Sequence, residues 1–270
     1  MTTIERWGSG EAYEAYVGRW SRLVAREFLS WLSPAPQRAW LDVGCGTGVV
    51  TATILDGAEP TRITGVDPSE AHIAHARSQT NDPRAEFHSG DAASIPADTD
   101  AFDYVVSGLV LNFVPDPAAA LLEMSRVAKP GGTVAAYVWD YAEGMELMRL
   151  LWDAAAELDP RAAELDEGKR FSITAPERLA STWRDADLRD VEVTALTVPT
   201  KFRDFDDYWT PFLGGHAPAP GYVMSLAEDE RERLRVLLRD RLPTEADGSI
   251  RLTAKAWAVR GGNGRGIVAR

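Results

Sequence analysis

The sequence predicts an α/β fold in which a mainly parallel sheet is covered by helices on both faces. Three observations point there. Short apolar runs alternate with segments of helical period; a glycine-rich turn, LDVGCGTG, closes the first of those runs; and a proline–glycine breaker, AKPGGT, turns a helix back into a strand.

The elements follow in order. Residues 1–36 read as a helical arm, with Tyr13, Tyr16, Val17, Trp20, Leu23, Val24, Phe28, Trp31 and Leu32 near helical period. Gly18 divides the arm into two helices, and Pro34 and Pro36 stop it. Strands are then expected at 39–43, 62–66, 85–88, 104–107 and 133–138, and helices at 48–55, 69–78 and 118–127. GMELMRLLWDAAAEL has the look of a lid helix. Thr174, Pro176 and Glu177 suggest a capping box opening a further helix, and DVEVTALTVPTKF and IRLTAKAWAVRG read as the closing strands. The stretch between those strands is too long for a hairpin and reads as an inserted helical cap at about 204–242. Ser225 and Glu228 suggest the cap of its charged helix, whereas 205–222 has too little periodicity for a regular helix and reads as a mobile aromatic lid. The expected organisation is thus the arm, 1–36, and one domain, 37–270, that carries the cap.

Composition narrows the function. The chain of 270 residues is 45% hydrophobic and 26% charged, ordinary for a soluble globular protein, and holds no apolar run of membrane-spanning length. MTTIERWGSGEAYEAY lacks the basic-then-apolar pattern of a secretory signal, so the expectation is a cytoplasmic protein without membrane insertion. A single cysteine, Cys45, excludes a disulfide framework and a cysteine-rich metal site, and no metal is expected. A net charge of −12 opposes phosphate backbones and argues against a nucleic-acid partner. No pattern in the sequence specifies an oligomeric state.

The glycines at 44, 46 and 48 strip side chains from a strand-to-helix turn, so that a ligand can approach the backbone. About twenty residues on, Asp67 in ITGVDPSE closes the second strand, where a carboxylate can accept both hydroxyls of a ribose. The spacing is GxGxG, not the dinucleotide GxGxxG, and Asp42 precedes the glycines. That acid would repel a pyrophosphate but suits an ammonium group, which points to a nucleoside bearing an amino acid. Asp67 could instead cap the helix after it, and Asp91 could close a turn after Gly90. His72 and His75 read as solvent-exposed helix residues.

From about Trp40 to Val138 the chain resembles the class I S-adenosylmethionine-dependent methyltransferases, in particular the small-molecule branch related to ubiquinone/menaquinone biosynthesis enzymes (methyltransferase type 11). LDVGCGTG, GVDPSE, SGDAASIPADTDAFDYVVS and KPGGTVAAYVW stand in the family's order. The resemblance implies a Rossmann-like three-layer sandwich with a seven-stranded, mostly parallel sheet whose last strand is antiparallel. It also implies S-adenosyl-L-methionine as cofactor. Gly44, Cys45, Gly46 and Thr47 would line its methionine part, Asp42 would face the amino group, and Asp67 would hold the ribose. Asp91 and Ala92 would bond the adenine, Pro68 would lie against the ring, and Ser107 would offer a carbonyl. Tyr16, Arg19 and Trp20 would fold over the cofactor, or else pack into the core.

Asn112 stands where the family often has histidine; an amide can orient a substrate but is no base near neutral pH. On the acceptor side Trp139, Tyr208, Trp209 and Phe212 would enclose a small organic molecule, or else pack internally, and His216 is the candidate base. The expected activity is methyl transfer to an oxygen, nitrogen or carbon atom of that molecule. A noncatalytic protein binding S-adenosylmethionine or S-adenosylhomocysteine shares every motif, and an NAD(P)-dependent oxidoreductase shares the turn and Asp67 alone.

Overall fold

The computed structural model describes residues 18–215 and 217–265, apart from the side chain of Ser172. Tyr16, His216 and the arm before Gly18 lie outside the described residues. By contact the described chain falls into two compact units, one made of 22–138, 173–196 and 256–265, the other of 18–21, 139–172 and 197–255. The segment 204–242, expected to form a cap, belongs to the second unit, together with 139–172.

α1 (Arg19–Leu32) leads into β1 (Ala39–Val43), α2 (Val49–Gly57), β2 (Arg62–Asp67), α3 (Glu70–Gln79) and β3 (Ala85–Ser89). β4 (Phe102–Gly108), α4 (Pro117–Val127) and β5 (Ala128–Trp139) follow. After α7 (Pro176–Asp185), the long strands β6 (Leu188–Phe202) and β7 (Ile250–Asn263) complete the sheet, whose order is β3-β2-β1-β4-β5-β7-β6. β1 pairs in parallel with β2 and β4, β2 with β3, and β4 with β5. The last strand is antiparallel, as expected. A Cβ on Gly261, late in β7, would stand 3.0 Å from the Cβ of Leu188, the first residue of β6.

All five residues of β1, AWLDV, are buried, as a central parallel strand covered on both faces requires. Alternation assigns the two faces. Leu41, Val105, Val134 and Val138 form one core with Leu121 and Met124 of α4 and Leu179 and Trp183 of α7. Trp183 is fully buried, and its Nε1–H donates to the Val134 carbonyl at 3.0 Å, which pins α7 to β5. On the other face Trp40 stacks on Tyr104 at 4.3 Å and Phe28 of α1 meets Tyr137 at 4.7 Å. Fully burying each aliphatic chain of this kind contributes roughly 1.5–3 kcal/mol. β5 begins five residues earlier than the periodicity suggests, because KPGG is absorbed as an irregularity in the β4–β5 register, with Gly131 at φ +74°.

The second unit holds α5 (Glu146–Leu158), α6 (Glu167–Arg170), α8 (Phe205–Trp209), α9 (Pro218–Ser225) and α10 (Glu228–Arg241). Residues 205–222 are more regular than their periodicity suggests: α8, a 3-10 turn over Thr210–Gly214 and α9 occupy most of them. The reason is aromatic packing. Tyr208 lies 5.4 Å from Phe202 and 5.5 Å from Phe212, and its hydroxyl donates to the Leu147 carbonyl at 3.1 Å. Two expected capping boxes are also replaced. α7 starts after Ala175 without a side-chain cap, and α10 starts after Ala227, whose N–H donates to Glu230 at 3.1 Å, while the Ser225 hydroxyl donates to Tyr222 O.

Candidate functional site

The glycine turn between β1 and α2 is left-handed at each glycine, with φ +73° at Gly44, +52° at Gly46 and +91° at Gly48. Its first residues are tied to β2: the N–H groups of Gly44 and Cys45 both donate to Val66 O, at 2.7 and 3.0 Å. The glycines differ in what surrounds them. A Cβ on Gly44 would stand 2.5 Å from Val110 Cγ1, whereas a Cβ on Gly46 would meet nothing within 4 Å among the described residues. The backbone is therefore packed at 44 and open at 46. Cys45 is buried against Ile73, Ala76 and Phe87, and burial, with Asp42 and Asp67 adding to it, pushes its thiol far up. It is an unreactive filler at neutral pH.

Asp42, the last residue but one of β1, has no exposed surface. Its Oδ2 accepts from Thr51 Oγ1 at 2.7 Å, while Oδ1 is buried without a hydrogen-bond partner among the described residues. Burial drives the carboxyl pKa to about 7, against the Thr51 bonds that lower it, and nearby Asp67 adds to the rise. A charged or polar group must reach Oδ1, or the site carries an unsatisfied oxygen in its core.

Asp67, at the end of β2, organises the next turn. Oδ2 accepts from Gly46 N–H at 3.0 Å; Oδ1 accepts from Ser69 N–H at 2.9 Å and lies 3.2 Å from His72 Nδ1. Burial alone would raise this carboxyl, but the bonds from His72, Ser69 and Gly46 outweigh it and hold it below the usual range. The cap of α3 is Ser69, which accepts from His72 N–H, so Asp67 is not the helix cap. Pro68 is exposed beside it.

His72 corrects the reading of an uninvolved surface residue. Its ring is held by Asp67, whose hydrogen bond raises the imidazole pKa against burial. The missed signal is positional: His72 is the third helical residue after the Ser69 cap, where side chains turn back toward the segment before the helix. Thr51, one turn into α2, was missed in the same way.

Asp91, exposed after β3, accepts from Ala93 N–H at 2.7 Å, an Asx turn that also presents Ala92. β4 ends at Ser107 and Gly108, followed by Leu109 in the left-handed region at φ +62°, a strained position for leucine that is fixed by its N–H bond to Tyr137 O at 2.8 Å. The Ser107 hydroxyl and both amide atoms of Asn112 are buried without partners among the described residues. Asp42, Asp67, Ser107, Asn112 and the glycine turn thus all stand at the carboxyl ends of parallel strands β1, β2 and β4, where open α/β sheets bind ligands.

The other expected site residues lie in the second unit. Arg19 donates to Asp207 Oδ1 at 3.1 Å and lies over the rings of Trp20 and Phe202 at 4.4 and 4.7 Å. Trp139 is buried, its indole N–H without a partner among the described residues; Tyr208 and Phe212 are fully buried, and Trp209 nearly so.

Residues 41–136 match the family model described as a methyltransferase domain. This segment is a methyltransferase domain. Over 96 residues the chain is 42% identical to the demethylmenaquinone methyltransferase of Staphylococcus aureus, a match that covers 35% of this chain and 40% of that protein. The chain thus spans less than half the length of the curated relatives it matches. Among solved structures, the fold resembles the phosphoethanolamine N-methyltransferase 2 of Haemonchus contortus in complex with S-adenosyl-L-methionine, with TM-score 0.59 and 16% identity over 97% of this chain and 60% of the other. It also resembles a SAM-dependent methyltransferase of Thermotoga maritima, with TM-score 0.56 and 20% identity over 94% of this chain and 95% of the other. Among the described residues no helix is long and apolar enough to cross a membrane, and no cluster of His, Cys, Asp and Glu could hold a metal.

Proposed function

We propose that this chain is an S-adenosylmethionine-dependent methyltransferase acting on an oxygen, nitrogen or carbon atom of a small-molecule acceptor. The observation that carries the reading is Asp42: a fully buried carboxylate with one oxygen unpartnered, beside a glycine turn whose Gly46 side is open. An ammonium group approaching over Gly46 would satisfy that oxygen, and its charge would restore the ionised form that burial disfavours. A pyrophosphate would do the opposite, which disfavours a nicotinamide cofactor here.

In this reading Gly44, Cys45, Gly46 and Thr47 line the methionine end, with Tyr16, Arg19 and Trp20 covering it and Asp42 receiving the ammonium. Asp67 accepts from the ribose, Asp91 and Ala92 bond the adenine, Pro68 flanks the ring and Ser107 adds a polar contact. When bound, the cofactor supplies an activated methyl group on a sulfonium. The chain's own contribution is to orient the acceptor and exclude water, which can lower a barrier by roughly 7–11 kcal/mol. Asn112, whose amide is buried without partners among the described residues, orients the acceptor, and Trp139, Tyr208, Trp209 and Phe212 supply the aromatic surroundings of that side. His216 is the proposed base where the acceptor must lose a proton. The cap is proposed at about 204–242 of the domain 37–270, after an arm at 1–36. The acidic charge supports a small acceptor over a nucleic acid, and the cytoplasm is the proposed location.

Calorimetry tests the reading directly. S-adenosylmethionine and S-adenosylhomocysteine should bind and NAD should not; NAD binding with no response to either sulfur nucleoside would refute it. A screen of small acceptors with labelled methyl then separates transfer from mere binding.

A further inference from the structure

Resting on the reading above, we infer that His72 is a positioning residue for the ribose-binding carboxylate and couples nucleoside affinity to pH. An ionised carboxylate offers about four lone-pair sites. Three are taken in Asp67: Gly46 N–H on Oδ2, and Ser69 N–H and the His72 ring on Oδ1. One site remains for the two hydroxyls of a ribose. A nucleoside that uses both must displace one of the three. Two of them are backbone groups, fixed by the glycine turn and by the start of α3. The third is a side chain 37% exposed, which can rotate into water.

His72 is therefore the contact that yields. It orients Asp67 before the nucleoside arrives and gives up Oδ1 when the ribose takes it. An imidazolium holds a carboxylate more tightly than a neutral imidazole, since the hydrogen bond becomes charge-assisted. Displacement is then harder at low pH, and binding of the nucleoside releases the proton. The charges that bear on the pair come from two strands. Asp67 on β2 acts on His72 directly and raises its pKa, and the same Asp67 adds to the rise of Asp42 on β1. The other titratable residues of α3, Glu70, His75 and Arg77, are exposed.

The experiment measures S-adenosylhomocysteine affinity by calorimetry at pH 6 and pH 8, for the wild type and His72→Gln, alongside the imidazole NMR titration of the wild type with and without the nucleoside. S-adenosylhomocysteine carries no sulfonium, so direct repulsion by the imidazolium is kept small. The wild type should bind about fivefold more weakly at pH 6 than at pH 8 beyond any change in His72→Gln, which a fall of about one pH unit in the His72 midpoint would give across that interval. Asp42 titrates in the same range in both proteins, so the difference between them carries the result. In the NMR titration one of the four histidine midpoints should fall by about one pH unit on saturation. Equal pH ratios in the two proteins, or four midpoints that stay in place while the nucleoside binds, would overturn the role of His72 and leave the proposed function standing. No binding of S-adenosylhomocysteine to the wild type at either pH would overturn both. Should His72→Gln fail to fold, the wild-type titration decides alone.

Discussion

Replacing Asp42 by asparagine should change stability and binding in opposite directions. In the folded protein the carboxyl titrates at about 7, against an ordinary 3.8. The folded pKa lies above the unfolded one, so between these values the folded state binds the extra proton and stability falls as pH rises. The penalty is absent below pH 3.8, grows up to about pH 7 and is full above it. About three pH units at about 1.4 kcal/mol each give an upper bound of roughly 4 kcal/mol. Asparagine keeps an acceptor for Thr51 but leaves a buried amide N–H where Oδ1 stood, which costs about 1–3 kcal/mol at every pH. The ligand-free variant should therefore be less stable than the wild type near pH 4 and no less stable, or more so, at pH 8. At pH 8 it should also lose roughly 1.5–3 kcal/mol of S-adenosylmethionine affinity, because the ammonium no longer meets a charge. Urea unfolding across this pH range and calorimetry at pH 8 give both numbers. A stability difference that does not vary with pH would show that the buried carboxyl is not strained in the folded state, and the reasoning from burial would fail.

Three further substitutions test separate parts of the molecule. Gly46→Ala places a methyl group where none of the described residues lies within 4 Å, so the protein should fold with a loss of only about 1–2 kcal/mol from the left-handed backbone yet bind the cofactor poorly; Gly44→Ala, 2.5 Å from Val110, should unfold far more readily. Normal binding by a folded Gly46→Ala protein, read by calorimetry after a thermal melt, would place the ligand elsewhere. In the second unit Glu167 is buried, accepts from Trp152 Nε1–H and has a carboxyl driven up from 4.5 to about 7, chiefly by burial. Its folded pKa is likewise raised, so Glu167→Gln should gain stability on the wild type as pH climbs from about 5 to 8, by up to about 3 kcal/mol, and Trp fluorescence during urea unfolding follows it.

The amino-acid sequence by itself determined most of the elements from β1 to β5 and the place of the glycine turn. β1 was legible at its true bounds because five consecutive residues are shielded from water on both faces, which allows no polar interruption except Asp42. The alternation of β1, α2, β2 and α3 was legible for the same local reason: strand and helix periods are written over a few residues, and GxGxG marks the turn that joins them. The roles of single atoms were not legible. No local pattern says that Thr51 takes one oxygen of Asp42 and leaves the other bare, or that His72 turns back onto Asp67, since each depends on the angle between a strand end and the following helix. The aromatic stretch 205–222 was misread as irregular because its order comes from rings packing on Phe202 and on one another, contacts that sequence spacing does not encode. Hydrophobic periodicity is a property of neighbours along the chain, whereas hydrogen-bond satisfaction and ring packing are settled among groups far apart in it, and only the tertiary structure brings those together.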